Sequence, residues 1–169
     1  MAPPTDEQQD LWGSQYAMVP FNDLFSSSRF ELTDIDPLPE ADAKGRRKAE
    51  GWTVSWQGVV DGAWTNYIGN LHGAAAAWIV DTCTSAALIG LHTPTFWGPP
   101  MMSGVSVAMD MQYLAPAPQY TELLVVVEVI RLTTTLANTK CDIKDLKTGK
   151  LYVSGTHIKA WKALDSAKL

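Results

Sequence analysis

Cysteine, histidine and positive charge are all scarce in this chain, and each scarcity closes off a class of function. Its two cysteines, Cys83 and Cys141, cannot build a disulfide framework and suit no zinc spacing. Both fall in apolar patterns and are expected as small buried hydrophobes; nothing cationic lies near Cys83 in sequence to make it a nucleophile. His72, Asp81, His92 and His157 lack tight ligand spacing, so no metal site and no cofactor are expected. A net charge of −5 offers no field to recruit phosphates, which argues against nucleic acid as a partner. The one basic cluster, Gly45-Arg46-Arg47-Lys48, reads first as a solvated loop and only second as a phosphate contact. There is no Gly-x-Ser-x-Gly elbow, and Ser106 opens what reads as a regular strand, against a serine nucleophile. No apolar run is read as long enough to span a membrane. The stretch Met1–Asp10 has neither an apolar signal core nor the Arg-rich, acid-poor look of a transit peptide. A soluble cytoplasmic protein is expected, with mitochondrial residence left open.

What is present is enough apolar material for one core: 169 residues, 46% hydrophobic. Residues 1–50 read as an N-terminal extension. A short helix spans 6–18, with Trp12, Tyr16, Phe21 and Phe25 tucked onto the body, and a Pro- and charge-rich loop covers 34–48. Residues 51–169 read as the main domain. Trp52, Val54 and Trp56 alternate with polar residues as a strand does. The alanine-rich run Gly73–Gly90 is too long for a strand and predicts a helix, with Gly90 as its C-terminal cap. Four strands follow, near 105–112, 121–131, 136–145 and 151–161, the last two joined by a turn at Lys147–Lys150. A helix that is apolar nearly all round must be wrapped rather than laid on a surface. The expected class is therefore α+β: a long central helix wrapped by a curved antiparallel sheet, the later strands forming a meander and the earlier strand an edge.

The most informative segment is Asn66-YIGNLHGAAAAWIV-Asp81-TCTSAALIG. One carboxylate sits midway along an otherwise apolar helix, and burying a carboxylate costs several kcal/mol unless it is paired or hydrogen-bonded. At the helix start, His72-Gly73 offers an imidazole and bare backbone N–H groups at the positive dipole end. An acid, an imidazole, a carboxamide and backbone donors are parts for polarising a carbonyl and delivering water to it.

These residues, with Gly104-Val-Ser-Val107, Met111-Gln-Tyr-Leu-Ala-Pro-Ala117, Thr135-Leu-Ala137 and Thr148-Gly-Lys150…Gly155-Thr-His157, resemble the hotdog-fold acyl-CoA thioesterases of the PaaI-like and thioesterase superfamily member 2-like branch. The resemblance runs over roughly residues 51–161. It departs from the family at Ala74, where a second glycine is usual, and at Thr133-Thr134, where a glycine and a base are usual. It implies metal-free hydrolysis of an acyl-CoA, or of an acyl carrier protein thioester, to free acid. Asp81 would activate or orient water, Ser106 would help hold it, and Gly73 N–H with Asn66 and His72 would polarise the carbonyl. Arg131, His157 and Lys159 are the candidates for coenzyme A contact, and Phe96 and Trp97 for a substrate wall. Most have a plainer reading: Asp81 as a helix residue tilted to solvent, Gly73 as a packing glycine, Ser106 as a neutral strand serine, Asn66 as a turn residue, His72 as a helix cap, His157 and Lys159 as a solvated strand face, Phe96 and Trp97 as packing. Two other functions stay open, a hotdog enoyl-thioester hydratase or dehydratase and a non-catalytic acyl-binding protein.

Helix geometry adds an expectation of its own. His72 and Asp81 are nine positions apart, about 13 Å of rise and about 900° of rotation, so they leave opposite sides of the helix. One carbonyl reaches both only if a second chain lays its helix antiparallel alongside, so a homodimer is the expected minimal unit, with a homotetramer built from it.

Overall fold

The computed structural model describes residues 2–17, 30–98 and 102–161, with backbone only at 14–17. Its elements are α1 (Asp6–Ala17), β1 (Glu31–Ile35), β2 (Thr53–Val59), a 3-10 turn (Gly62–Trp64), α2 (Gly73–Gly90), β3 (Val105–Tyr113), β4 (Glu122–Leu132), β5 (Leu136–Asp145) and β6 (Leu151–Ala160). Six strands form one antiparallel sheet in the order β1-β2-β4-β5-β6-β3. The helix and the four later strands stand where the apolar patterns place them. Only β4-β5-β6 is a meander, however; β3 crosses to the far edge and pairs with β6. The strand from Trp52 is interior, because β1, from a stretch expected to be extension, covers it and forms the edge.

Alternation decides which face of the sheet meets α2. Leu123, Val125, Val127 and Val129 on β4 and Ala137, Thr139, Cys141 and Ile143 on β5 are buried, and the residues between them are only partly so; Val54 and Trp56 on β2 are buried on the same core. Against this surface lies α2, in contact with β4, β5 and β6. Gly155 on β6 permits a close approach: a Cβ there would meet Met111 Sδ at 2.9 Å and Val80 Cγ1 at 3.1 Å. By length and composition α2 is apolar enough to cross a bilayer, which corrects the expectation that no run is; 56% of it is buried by packing in this chain. Its C-terminus is also plainer than expected. Gly90 is the last helical residue, and the cap, Leu91, stays right-handed at φ −95°.

Leu32, Ile35, Phe30 and Ala49 join the same core as Trp52 and Val54, so the core does not break at residue 50. Trp12 packs on Trp56 with ring centroids 5.4 Å apart and donates to the Phe30 carbonyl at 3.1 Å. The Tyr16 side chain, Phe21 and Phe25 lie outside the described residues. Both cysteines are free and fully buried, and burial pushes both thiols up from their ordinary pKa.

Candidate active site

Two separate groups of polar residues sit at different levels along α2, each tied to β3. The first is at its N-terminus. Residue 72 is extended (φ −69°, ψ 140°), so the helix begins at Gly73, and the Ala74 N–H donates to His72 Nδ1 at 3.0 Å. His72 therefore does cap the helix. Capping through Nδ1 also sets the tautomer of the neutral ring, since its proton must then reside on Nε2, as a donor for something else. Asn66 likewise holds the turn before the helix: its Oδ1 accepts from the N–H groups of Ile68 and Asn70, both at 3.1 Å. That leaves the amide NH2 as a donor with a fixed origin. Asn66 and Gly73 line one cleft of about 460 Å³ with Leu71, Tyr113, Ala115 and Tyr152. The Tyr113 hydroxyl donates to the Gly73 carbonyl at 3.2 Å and ties β3 to the helix start.

The second group surrounds Asp81, and a strand irregularity builds it. Along β3, Met109 pairs with His157 and Ala108 with Ile158, but Ser106 pairs with Lys159, so Val107 is an extra residue. In a regular strand Ser106 would share a face with Ala108 and Asp110. The bulge turns it onto the inward face with Met109, beside the helix. There the Ser106 hydroxyl lies 3.3 Å from Asp81 Oδ1 and 3.0 Å from His157 Nε2. The other ring nitrogen, Nδ1, is 2.7 Å from Thr84 Oγ1, whose hydroxyl back-bonds to the Val80 carbonyl at 2.7 Å. With the threonine proton so used, Nδ1 donates and Nε2 keeps its lone pair. One serine proton then faces two acceptors, tethering imidazole to carboxylate.

Charge in this group is not where the sequence puts it. Asp81, expected to be buried, keeps 49% of its side chain exposed, while His157 and Lys159, whose plainer reading is a solvated face, are 1% and 4% exposed. Burial, with the Lys159 charge beside it and Asp81 opposing, pulls the His157 pKa down to about 4, so the ring is neutral in neutral solution. Its 3.6 Å approach to Asp81 is then no ion pair. Lys159 Nζ donates to Ser85 Oγ at 2.6 Å and sits 3.8 Å from Asp81 Oδ1; burial lowers its pKa and Asp81 opposes that shift.

The remaining expected contacts separate from these groups. Arg131 is exposed and pairs with Asn138 beyond a register shift at Val129, which puts it on the sheet face away from α2. Phe96 and Trp97 pack inward. Their rings stack at 4.5 Å, Trp97 stacks on Trp161 at 3.9 Å, and Leu88 and Ala137 complete the cluster. Trp97 holds φ 56°, a left-handed conformation that this packing keeps in place. In the basic cluster, Arg46 is engaged with Asp42 at 2.8 Å and Arg47 with the Pro39 carbonyl. Thr84, Ser85 and Tyr113 were not legible as site residues. Thr84 and Ser85 sit at i+3 and i+4 from Asp81, the positions that share its helix face, and that spacing was the available signal.

The thioesterase superfamily model matches residues 68–152, which take in Gly73, Asp81 and Ser106. Acyl-coenzyme A thioesterase 13 of Homo sapiens is 37% identical over 95 residues, covering 56% of this chain and 63% of that protein. The chain thus spans less than two thirds of the length of this relative. The crystal structure of zebra fish thioesterase superfamily member 2 superposes with a TM-score of 0.70 at 24% identity, covering 91% of this chain and 95% of that one. A hypothetical thioesterase from Streptococcus pneumoniae, solved with coenzyme A, gives 0.58 at 17% identity over 78% and 88% of the two chains. At these identities the two structures establish the hotdog fold.

Proposed function

Since the chain belongs to the thioesterase superfamily, we propose that it hydrolyses the thioester of an acyl-CoA to free acid and coenzyme A. The observation that carries this reading is the Asp81 group: a half-exposed carboxylate with one oxygen set against Ser106 and Lys159. Acyl-coenzyme A thioesterase 13 and the coenzyme A-bound fold neighbour favour coenzyme A as the carrier.

Asp81 takes a proton from water as the water oxygen attacks the thioester carbon. The carbonyl oxygen becomes an oxyanion that the Gly73 N–H stabilises at the helix N-terminus, helped by the Asn66 amide and His72 Nε2–H. Collapse breaks the carbon–sulfur bond, and the proton on Asp81 passes to the leaving thiolate. Gly73 suits the donor position because nothing projects from it to hold the substrate off.

The two halves come from two chains. Edge strand β3 is exposed along nearly its whole length, with Val107 at 60% and Val105 at 48%. An apolar edge carrying unpaired backbone groups is a surface that pairs with another strand. A second copy added there about a two-fold axis sets the helices antiparallel and brings the Gly73 cleft of one chain to the Asp81 of the other. Two free buried cysteines suit a reducing compartment such as the cytoplasm.

A panel of acyl-CoA chain lengths, followed by thiol release, tests the reading. Hydrolysis is expected in the wild type, with kcat reduced about 100-fold or more in Asp81→Asn, which keeps the shape and removes the base. Retention of more than half the wild-type kcat removes Asp81 from the mechanism.

A further inference from the structure

We propose that Lys159 is a positioning residue for Asp81: its buried ammonium, seated on Ser85, holds Oδ1 of the carboxylate in place and leaves Oδ2 to act as base. The proposal rests on the hydrolytic reading above. Lysine is among the residue types least often found fully buried, yet Lys159 is 4% exposed, in the last strand before Trp161, with its side chain directed at α2. Ser85 receives it at 2.6 Å, and Ser85 lies one helical turn beyond Asp81 on the same helix face. From that seat Nζ is 3.8 Å from Oδ1, too long for a hydrogen bond and short for opposite charges in a half-buried site.

No other charge does this work. The two basic groups within 4.0 Å of Asp81, among the described residues, are His157 and Lys159. His157 has its Nδ1 proton committed to Thr84 and presents a lone pair towards Ser106. Left with that lone pair and a serine sharing one proton, Oδ1 would be held only weakly. The ammonium supplies the missing attraction from a point set by its 2.6 Å hydrogen bond to Ser85 and by its burial. A role at Asp81 does not require the lysine to serve the fold. A buried charge is often replaced by an apolar side chain of similar volume without loss, and sometimes with gain. Asp81, half in solvent, is not stranded when the ammonium goes.

The experiment compares wild type, Lys159→Met and Ser85→Ala in steady-state acyl-CoA hydrolysis and in thermal melts. For Lys159→Met the expected result is a kcat about ten- to a hundredfold lower, KM within about threefold, and a melting temperature unchanged or raised. Ser85→Ala keeps the charge and loosens its seat, so kcat should fall by a smaller factor, again with KM held. In Lys159→Ala, ethylammonium ions should restore part of the lost kcat by entering the vacated space. Lys159→Met retaining kcat within about twofold overturns the proposal. A loss confined to KM does so too, because the lysine would then be touching substrate. If Lys159→Met does not fold, Ser85→Ala decides alone: wild-type kcat overturns, a kcat-only loss supports. Wild-type protein inert towards every acyl-CoA is a different failure, that of the hydrolytic reading itself.

Discussion

Mixing two dead variants should restore activity, by an amount that the placement of the two residues fixes in advance. His72 caps α2 and Asp81 lies nine positions further on, about 13 Å along the axis, beyond the reach of one carbonyl. Let His72→Ala and Asp81→Asn each be inactive as homodimers, then unfold them together and refold. Random pairing makes about half the dimers mixed. In each mixed dimer one site combines the two intact residues and the other combines both damaged ones, so about a quarter of wild-type activity returns. If each chain supplied its own complete site, none would return.

A second mixture reads the same geometry from the opposite direction. Wild type refolded with the double variant gives about a quarter of full activity if sites are shared, because each site of a mixed dimer then carries one damaged residue. Sites contained within one chain give about a half. Thiol release at saturating acyl-CoA is the assay, and subunit exchange is checked by mass with one partner isotopically labelled. Losing the His72 cap costs about 0.5–2 kcal/mol of stability, so the far-ultraviolet spectrum must first show that the variant is folded. Exchange without recovery in the first mixture, or half activity in the second, refutes the shared site.

Other perturbations bear on single residues. Trp97→Ala removes a ring stacked between Phe96 and Trp161, and should destabilise the chain by about 3–5 kcal/mol with acyl-length preference unmoved; an altered preference at unchanged melting temperature would return Trp97 to the substrate wall. Gly155→Val drives a side chain into Met111 and Val80, and the overpacking should cost about 1–3 kcal/mol in a denaturant melt. His157 titrates near 6.5 when unfolded and is pulled down to about 4 in the fold, so the unfolded chain binds the extra proton and stability should fall as pH drops through that window. In His157→Gln that part of the decline should vanish from melts taken across the same range.

Helix α2 was legible, its C-terminal cap excepted, because its signals are local: an alanine-rich apolar run bounded by His72-Gly73 and Gly90. The pairing of β3 with β6 was not. Strand order is set by which edges remain free after β4, β5 and β6 have paired, and no short-range pattern records that. Strand β1 escaped because Glu-Leu-Thr-Asp-Ile is short and half polar, with two inward residues, Leu32 and Ile35. The facing of Ser106 could not be read from a period of two: one extra residue reverses the facing of everything before it, and Val107 is as good a strand former as its neighbours.

The acid itself shows how a sound premise can misplace the cost it invokes. Asp81 drew notice because a carboxylate in an apolar helix ought to be costly, yet half of its side chain is in solvent. The desolvation cost falls instead on His157 and Lys159 across the sheet, which are buried beside it and whose pKa values burial pulls down. This division of labour is what a base needs. A carboxylate sealed in the core would be protonated or permanently paired, and unavailable to water. One left at the surface, with its neighbours fixed below, keeps an oxygen open to water while its orientation is set from beneath. The exposed face of β3 lies on the same side, so a second chain closing over it would shield the acid only after the acid's geometry is already built into the first.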